Sequence, residues 1–181
     1  MSELPSDQAP DQAPDQASDP PLGLDAVAAA TEEVAAGVAV ASTRWRGLDH
    51  AITVTSYTWV SRDPALLLVC VHEDARFLDA VEQAGAWGLS VLAQDQRAVA
   101  GWLATPGRPA VGQLSRVPHR SGPVTGVPLL EGALAAFECR TTAAHPAGDH
   151  VVVVGEVVGL DHPAGGADPL VRFRRSYHAL A

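Results

Sequence analysis

The stretch LLEGALAAFECRTTAAHPAGDHVVVVGEVVGLDH, residues 129–162, decides the fold. Two long apolar runs flank a short polar corner, HPAGD, at 145–149. The first run reads as a strand with a bend near Gly132. The second carries four consecutive valines, Val151 to Val154, and reads as its hairpin partner, because β-branched side chains suit a pleated surface. Strand joined to strand by a tight corner is an antiparallel pair. One residue does not belong to that logic. His150 stands at the mouth of the second strand, where a strand has no need of an imidazole.

Working outward, the same alternation continues. VAVASTRW (38–45) is a strand, RGLD a turn, and HAITVTSYTWVS (50–61) an alternating strand. In it Ile52, Val54 and Ser56 point one way and Thr53, Thr55 and Tyr57 the other. ALLLVCV (65–71) is a short, fully apolar strand, and WGLSVLA (87–93) is another. Helical spacing appears in LDAVAAATEEVAAG, with Gly37 as a stop; in DARFLDAVEQAG, with Asp74 as cap and Gly85 as stop; and in DQRAVAGWLA, opening at Asp95. Residues 105–129 are rich in Pro and Gly and read as a long irregular loop. LVRFRRSYHAL closes the chain's folded part. The expectation is six or seven strands with two or three short helices. This is a mainly β, mostly antiparallel barrel with helices at its rim.

Composition bounds the function. The chain has 181 residues and a formal charge of −9. Five of its 21 acidic residues (Glu3, Asp7, Asp11, Asp15, Asp19) fall in the first twenty positions, with no Lys or Arg among them. The remainder carries 16 acidic against 12 basic residues, too little positive charge for a nucleic-acid reader. Residues 1–21, with the repeated DQAP unit, are expected to be a disordered tail, and residues 22–181 one domain. There is no Lys, which excludes Schiff-base chemistry and a Walker lysine, and no Asn. Cys70 and Cys139 sit in apolar contexts and read as buried small hydrophobes, without the spacing of a metal site. No secretory leader and no membrane-length apolar run is seen, so a soluble cytoplasmic protein is expected. GxGxxG, GxSxG and HExxH patterns are absent.

What remains is a run of alcohols, TVTSYTWVSRDP (53–64), holding Thr53, Thr55, Ser56, Thr58 and Ser61. Hydroxyls and strand-edge N–H groups can bind a phosphate or the polar rim of a flavin without a cation. Taken in order, GVAV (37–40), TSYTWVSRDP (55–64), VLAQDQ (91–96), PLLEGALAAFEC (128–139), GDH (148–150), GEV (155–157), PL (169–170) and Tyr177 resemble the flavin reductase family of two-component monooxygenases. The likeness runs from Leu24 onward.

That resemblance implies an FMN-binding split β-barrel and an NAD(P)H-dependent reductase. Hydride would pass from NADH or NADPH to FMN or FAD, and reduced flavin would go to a partner monooxygenase. The protein is expected to be a homodimer, without nucleic-acid, membrane or metal partners. Carried over residue by residue, Thr53, Thr55, Ser56, Tyr57, Thr58, Ser61, Ser90 and Gln96 contact the flavin, and Arg76 its phosphate. Asp149, His150 and Tyr177 face the nicotinamide, with His150 the catalytic candidate. The chain departs from the family at HEDARF (72–77), where a Ser/Asn and Ser/Thr pair is usual, and at Trp59, Leu103, Arg172 and Arg175. Two other readings stay open on the residues: a non-catalytic flavin- or haem-binding protein of the same fold, and an oxidase of the pyridoxamine-phosphate type. His50, His119, His145, His162 and His178 are expected to be solvated or capping, with His72 set apart as a second imidazole that could approach the flavin.

Overall fold

The structure is a computed structural model describing residues 23–163 and 165–180, so the expected tail lies outside the described residues. In chain order the elements are α1 (Leu24–Thr31), β1 (Ala36–Gly37), β2 (Ala39–Trp45), β3 (Leu48–Val54), β4 (Tyr57–Arg62), β5 (Ala65–His72), α2 (Arg76–Ala84) and β6 (Ala86–Val91). A 3₁₀ turn (Gln94–Gln96) leads into α3 (Arg97–Ala104). Then come β7 (His119–Ser121), β8 (Pro128–Leu130), β9 (Ala135–Ala147), β10 (His150–Asp161), β11 (Leu170–Phe173) and β12 (Ser176–Ala179).

Seven strands form one antiparallel sheet in the order β3-β2-β6-β9-β10-β5-β4. Its centre is the hairpin read first from the sequence. β9 and β10 pair from His150↔Ala147 to Asp161↔Ala136, with two register shifts, and turn through Gly148 at φ 68°. The alternating run around Thr55, expected as one strand, is two. β3 and β4 form the two outer edges of the sheet, and only Thr55 and Ser56 connect them. Flat, those edges would lie six strand spacings apart, about 29 Å at ~4.8 Å each. Three Cα steps span at most about 11 Å. The sheet must therefore curl on itself, which is the barrel.

Two apolar cores follow from this curl. Ala39, Ala41, Val54, Leu67, Val69, Val71, Trp87, Leu89, Cys139 and Val153 pack together with Phe77, Leu78 and Val81 of α2. Alternate residues of the same strands, Val40 and Ala51 among them, pack with Ala100 and Leu103 of α3 and with Leu114, Leu130 and Leu170. The expected alternation of β3 thus holds: Ile52 and Val54 face one core, and Ala51 faces the other. α2 stops at Gly85 in the left-handed region, φ 66°, as its sequence suggests, but its cap is Ala75 rather than Asp74. The 105–129 loop contains one short hairpin, β7 with β8. It is held by the buried carboxylate of Glu138, which accepts from the Thr125 hydroxyl and N–H, both at 2.6 Å, and from the Val124 N–H. Both cysteines are free. Burial, and then the charge of Glu138, push the Cys139 thiol up to about 12.

Gly155 sits where β10 crosses the Trp87 indole. A Cβ there would lie 2.8 Å from Trp87 Nε1 and 2.9 Å from Cys139 Cβ, under any normal contact. Trp87 is fully buried. Gly155→Ala is therefore expected to destabilise the protein by about 1–3 kcal/mol through overpacking. Trp87→Phe in the same chain should recover part of that loss, because the smaller ring vacates the contact. Urea midpoints of the two single variants and the double variant measure the coupling. Additive losses would show that Gly155 is not there to admit the indole.

Candidate functional site

Two cavities open beside the link between β3 and β4. The first, about 690 Å³, lies between β3, the start of α2 and the loop that follows α3. Thr53 lines it, and its hydroxyl donates to the Ala100 carbonyl at 2.8 Å, tying β3 to α3. Gln113 clips the loop onto the same strand. Its Oε1 accepts from the Ala51 N–H at 3.0 Å, and its Nε2 donates to the Pro109 carbonyl at 3.1 Å. The clip brings Arg108 inward. Arg108 donates to the carbonyls of Thr105 and Ala51, while its own carbonyl accepts from the Arg76 guanidinium. His50 completes this wall, with Nε2 shut off from solvent and without a partner among the described residues. Burial lowers the His50 pKa, the Asp49 charge opposes that, and the Arg76 charge adds to it.

The second cavity, about 800 Å³, is bordered by Thr55 and Ser56, by α1, and by Arg172 to Arg175. α1 stands over it on two exposed ion pairs, Arg174–Glu33 at 2.8 Å and Arg175–Glu32. Both arginines have positive φ, 47° and 62°, because they form the two-residue turn between β11 and β12. Arg172 lines both cavities and has no ion pair among the described residues.

The imidazole singled out in the sequence stands next to His72, which lines the first cavity. The turn between β9 and β10 places Asp149 Oδ1 2.6 Å from His150 Nδ1, which holds the Asp149 carboxyl below the usual range. A carboxylate can only accept, so His150 Nδ1–H is the donor. His72, the register partner of His150 on β5, meets it edge to face with ring centroids 5.2 Å apart. The Asp74 N–H donates to His72 Nδ1 at 3.1 Å. His72 lines the cavity, whereas His150 and Asp149 stand beside His72 without lining it.

Several expected contacts are corrected. Ser90 is fully buried, and its hydroxyl accepts from the Leu130 N–H at 3.0 Å, so it cannot meet a ligand at either cavity. Gln96 spends its amide on its own surroundings, with Oε1 accepting from the Ala93 N–H and Nε2 donating to the Glu131 carbonyl. Tyr57 and Tyr177 pack against the two cores, and burial raises the Tyr57 pKa. Thr58 and Ser61 ride on edge strand β4 opposite Leu68 and Leu66, while His72 ends β5. At ~3.3 Å per residue, Ser61 is about 20 Å along the sheet from His72. The structure thus puts Thr53, Arg76 and His72 around one cavity, with His150 beside His72, and Thr55 with Ser56 at the other. His50, Arg108 and Arg172 were not expected here. Arg108 lies in a Pro/Gly loop with no motif around it, and the only cue for His50 was its place beside a strand.

Comparison with known proteins gives the chain's family and overall fold. The family described as "Flavin reductase like domain" matches residues 31–181. An NADH-dependent FMN reductase, AsuE2, from Streptomyces nodosus subsp. asukaensis is 36% identical over 148 residues, covering 80% of this chain and 78% of the relative. The reductase component of 4-hydroxyphenylacetate 3-monooxygenase from Thermus thermophilus is 36% identical over 146 residues, covering 81% and 89%. The crystal structure of BorF, the flavin reductase component of a bacterial two-component tryptophan halogenase, superposes with a TM-score of 0.81 at 37% identity, covering 86% of this chain and 97% of BorF.

His50 gives a pH test. Its folded pKa lies below the ordinary 6.5, so the unfolded chain takes up the proton more readily. Stability from this group is complete above about 6.5 and declines as pH falls through the folded value. His50→Gln should flatten the fall of the urea midpoint between pH 7 and 5. An unchanged slope would mean that His50 titrates alike in both states.

Proposed function

The chain belongs to the flavin reductase-like family, and we propose that it is an NAD(P)H-dependent flavin reductase that supplies reduced flavin to a partner monooxygenase. The observation that carries this is the pair of cavities meeting at Arg172, one bordered by Thr55 and Ser56 and the other lined by Arg76, Arg108 and His72. Both volumes fall in the range of small-molecule sites. A flavin fits these residues: alcohols and strand-edge amides for its polar rim, guanidinium groups for its phosphate. When bound, the flavin supplies the ring that accepts hydride.

The protein's own part is positioning. Asp149 fixes the His150 tautomer and leaves Nε2 to hold the carboxamide or a phosphate of the reduced nicotinamide. Thr53 keeps β3 against α3, so the floor between the cavities does not shift when ligands exchange. The pyridoxamine-phosphate alternative loses support here. An oxidase of that type wants several cationic residues for its substrate phosphate, and of Arg172, Arg174 and Arg175 the last two are engaged by Glu33 and Glu32.

We further read the protein as a cytoplasmic homodimer. Edge strand β4 exposes Trp59 (54%) and Val60 (47%), apolar surface that a second copy would cover. No helix among the described residues is long and apolar enough to cross a membrane.

Loss of NADH absorbance with added FMN tests the activity, and no turnover above background would overturn it. His150→Ala should lower kcat/KM for NADH about tenfold, the scale of one lost hydrogen bond and its orientation. Unchanged NADH kinetics would remove His150 from the site. Trp59→Glu should convert the dimer to monomer in sedimentation velocity, and a wild-type monomer would sink the dimer reading outright.

A further inference from the structure

We propose that His72 is a positioning residue for His150 and acts through Asp149, one carboxylate held between two imidazoles from neighbouring strands. The inference rests on the reading of His150 as the group that meets the reduced nicotinamide, and it adds a residue to that reaction.

The strand register brings the three side chains together. His72 ends β5, His150 begins β10, and the two are Cα partners. Directly opposed residues of an antiparallel pair share a face, with Cβ atoms about 4.5–5.5 Å apart. The rings accordingly meet edge to face, with centroids 5.2 Å apart and planes at 69°. Asp149 closes the turn before β10 and divides its oxygens between them. Its Oδ1 stands 2.6 Å from His150 Nδ1, and its Oδ2 stands 3.9 Å from His72 Nε2. Among the described residues these two imidazoles are its only ionic partners.

The His72 ring is turned to suit this arrangement. Its Nδ1 accepts from the Asp74 N–H at 3.1 Å, so in the neutral ring the proton lies on Nε2, the nitrogen facing Asp149. At 3.9 Å the contact is too long for a hydrogen bond and within ion-pair range. His72 thus steers the carboxylate, while His150 binds it. The Asp149 carboxyl is held below its usual range first by the His150 hydrogen bond, and the charges of both imidazoles add to this.

His150 needs the help because its ring has one polar fixture among the described residues, Asp149 Oδ1. The terminal torsion of an aspartate is broad and roughly two-fold, and this side chain is 75% exposed. Left alone, carboxylate and imidazole would turn together. A second partner on Oδ2 narrows that turn, and with it the arc swept by the ring. Placement of this kind is what a protein supplies when the chemistry belongs to its cofactors. The backbone is tied separately. The Glu73 N–H donates to the Asp149 carbonyl at 3.0 Å, so replacing the His72 ring leaves the turn in place.

The test is NADH oxidation with FMN by His72→Phe and His72→Gln, each alone and combined with His150→Ala. Phe keeps a ring without a donor; Gln regains an N–H. His72→Phe should lower kcat/KM for NADH about three- to tenfold and leave KM for FMN unchanged, and His72→Gln should recover most of that loss. In the His150→Ala background, His72→Phe should cost nothing further, because the residue it positions is gone. Equal losses in both backgrounds, or a loss confined to KM for FMN, would overturn the proposal and leave the reductase standing. If His150→Ala itself keeps wild-type NADH kinetics, or if no flavin is reduced, the reading of the site falls instead. Ring-nitrogen NMR then decides the positioning alone. Above the histidine titration range, His150 should show a single tautomer protonated on Nδ1 in the wild-type protein and a mixture of both in His72→Phe. An unchanged His150 signature in that variant would overturn the role of His72.

Discussion

Two residues, Thr55 and Ser56, join opposite edges of a seven-stranded sheet, and the rest of the molecule is arranged around that short span. A chain that must go from one edge to the other in three Cα steps leaves the sheet no flat solution. The curl encloses Trp87, Leu89 and Val69 and turns alternate residues of the same strands outward to α3. It also sets the site. Thr53, just before the span, faces one cavity, and Thr55 and Ser56, within it, face the other. The backbone that closes the barrel thus also borders both cavities, so pocket shape and barrel closure cannot be altered independently.

The walls differ in how firmly they are held. The Arg108 wall is clipped by buried Gln113 to β3 and anchored by a Trp102 hydrogen bond at 2.9 Å to the Gln113 carbonyl. α1 is held differently. It buries no residue among those described, and its link to the β11–β12 turn is two exposed ion pairs and one backbone hydrogen bond from Arg174 to Glu32. Exposed pairs contribute roughly 0–1 kcal/mol each and weaken with salt. The first cavity therefore has a firmly held wall, whereas the second is bordered by the lightly fastened α1. Such unequal local stability is how a binding site opens without unfolding its barrel.

The sequence made the fold legible and the site only partly so, for a physical reason. Hydrophobic period is a property of each segment. Val151–Val154, Leu66–Val71 and the alternation of Ile52 and Val54 announce strands wherever they pack. The break at Thr55 could not be read that way, because polar residues that continue an alternation look the same whether the strand runs on or changes edge. At the site, the Gly-Asp-His corner was readable because turn geometry and hydrogen bonding are local: Asp149 reaches His150 one residue away. Ser90 misled because a hydroxyl in a motif says nothing about which side of the sheet it faces, and here it serves the Leu130 N–H in the interior. Arg108 was invisible because its role depends on Ala51, 57 residues earlier, and on a loop whose composition signals only irregularity.

The same contrast explains how this chain can depart from its family at HEDARF and keep its class. Hydride transfer belongs to the two cofactors, and what a protein adds is placement and exclusion. Thr55 and Ser56, proposed to meet the ring, are constrained by the closure of the barrel itself. Arg76, at the start of α2 and proposed for the far end of the ligand, is an exposed side chain outside that closure. Exchanging alcohols for guanidinium groups there leaves β3, β5 and the Asp149–His150 pair where they were. Charge at a pocket's end acts on ligand choice over several ångströms, while the reacting atoms feel it weakly through intervening protein. Chemistry and selectivity are thus separated in space along one groove, and the second can drift while the first is held.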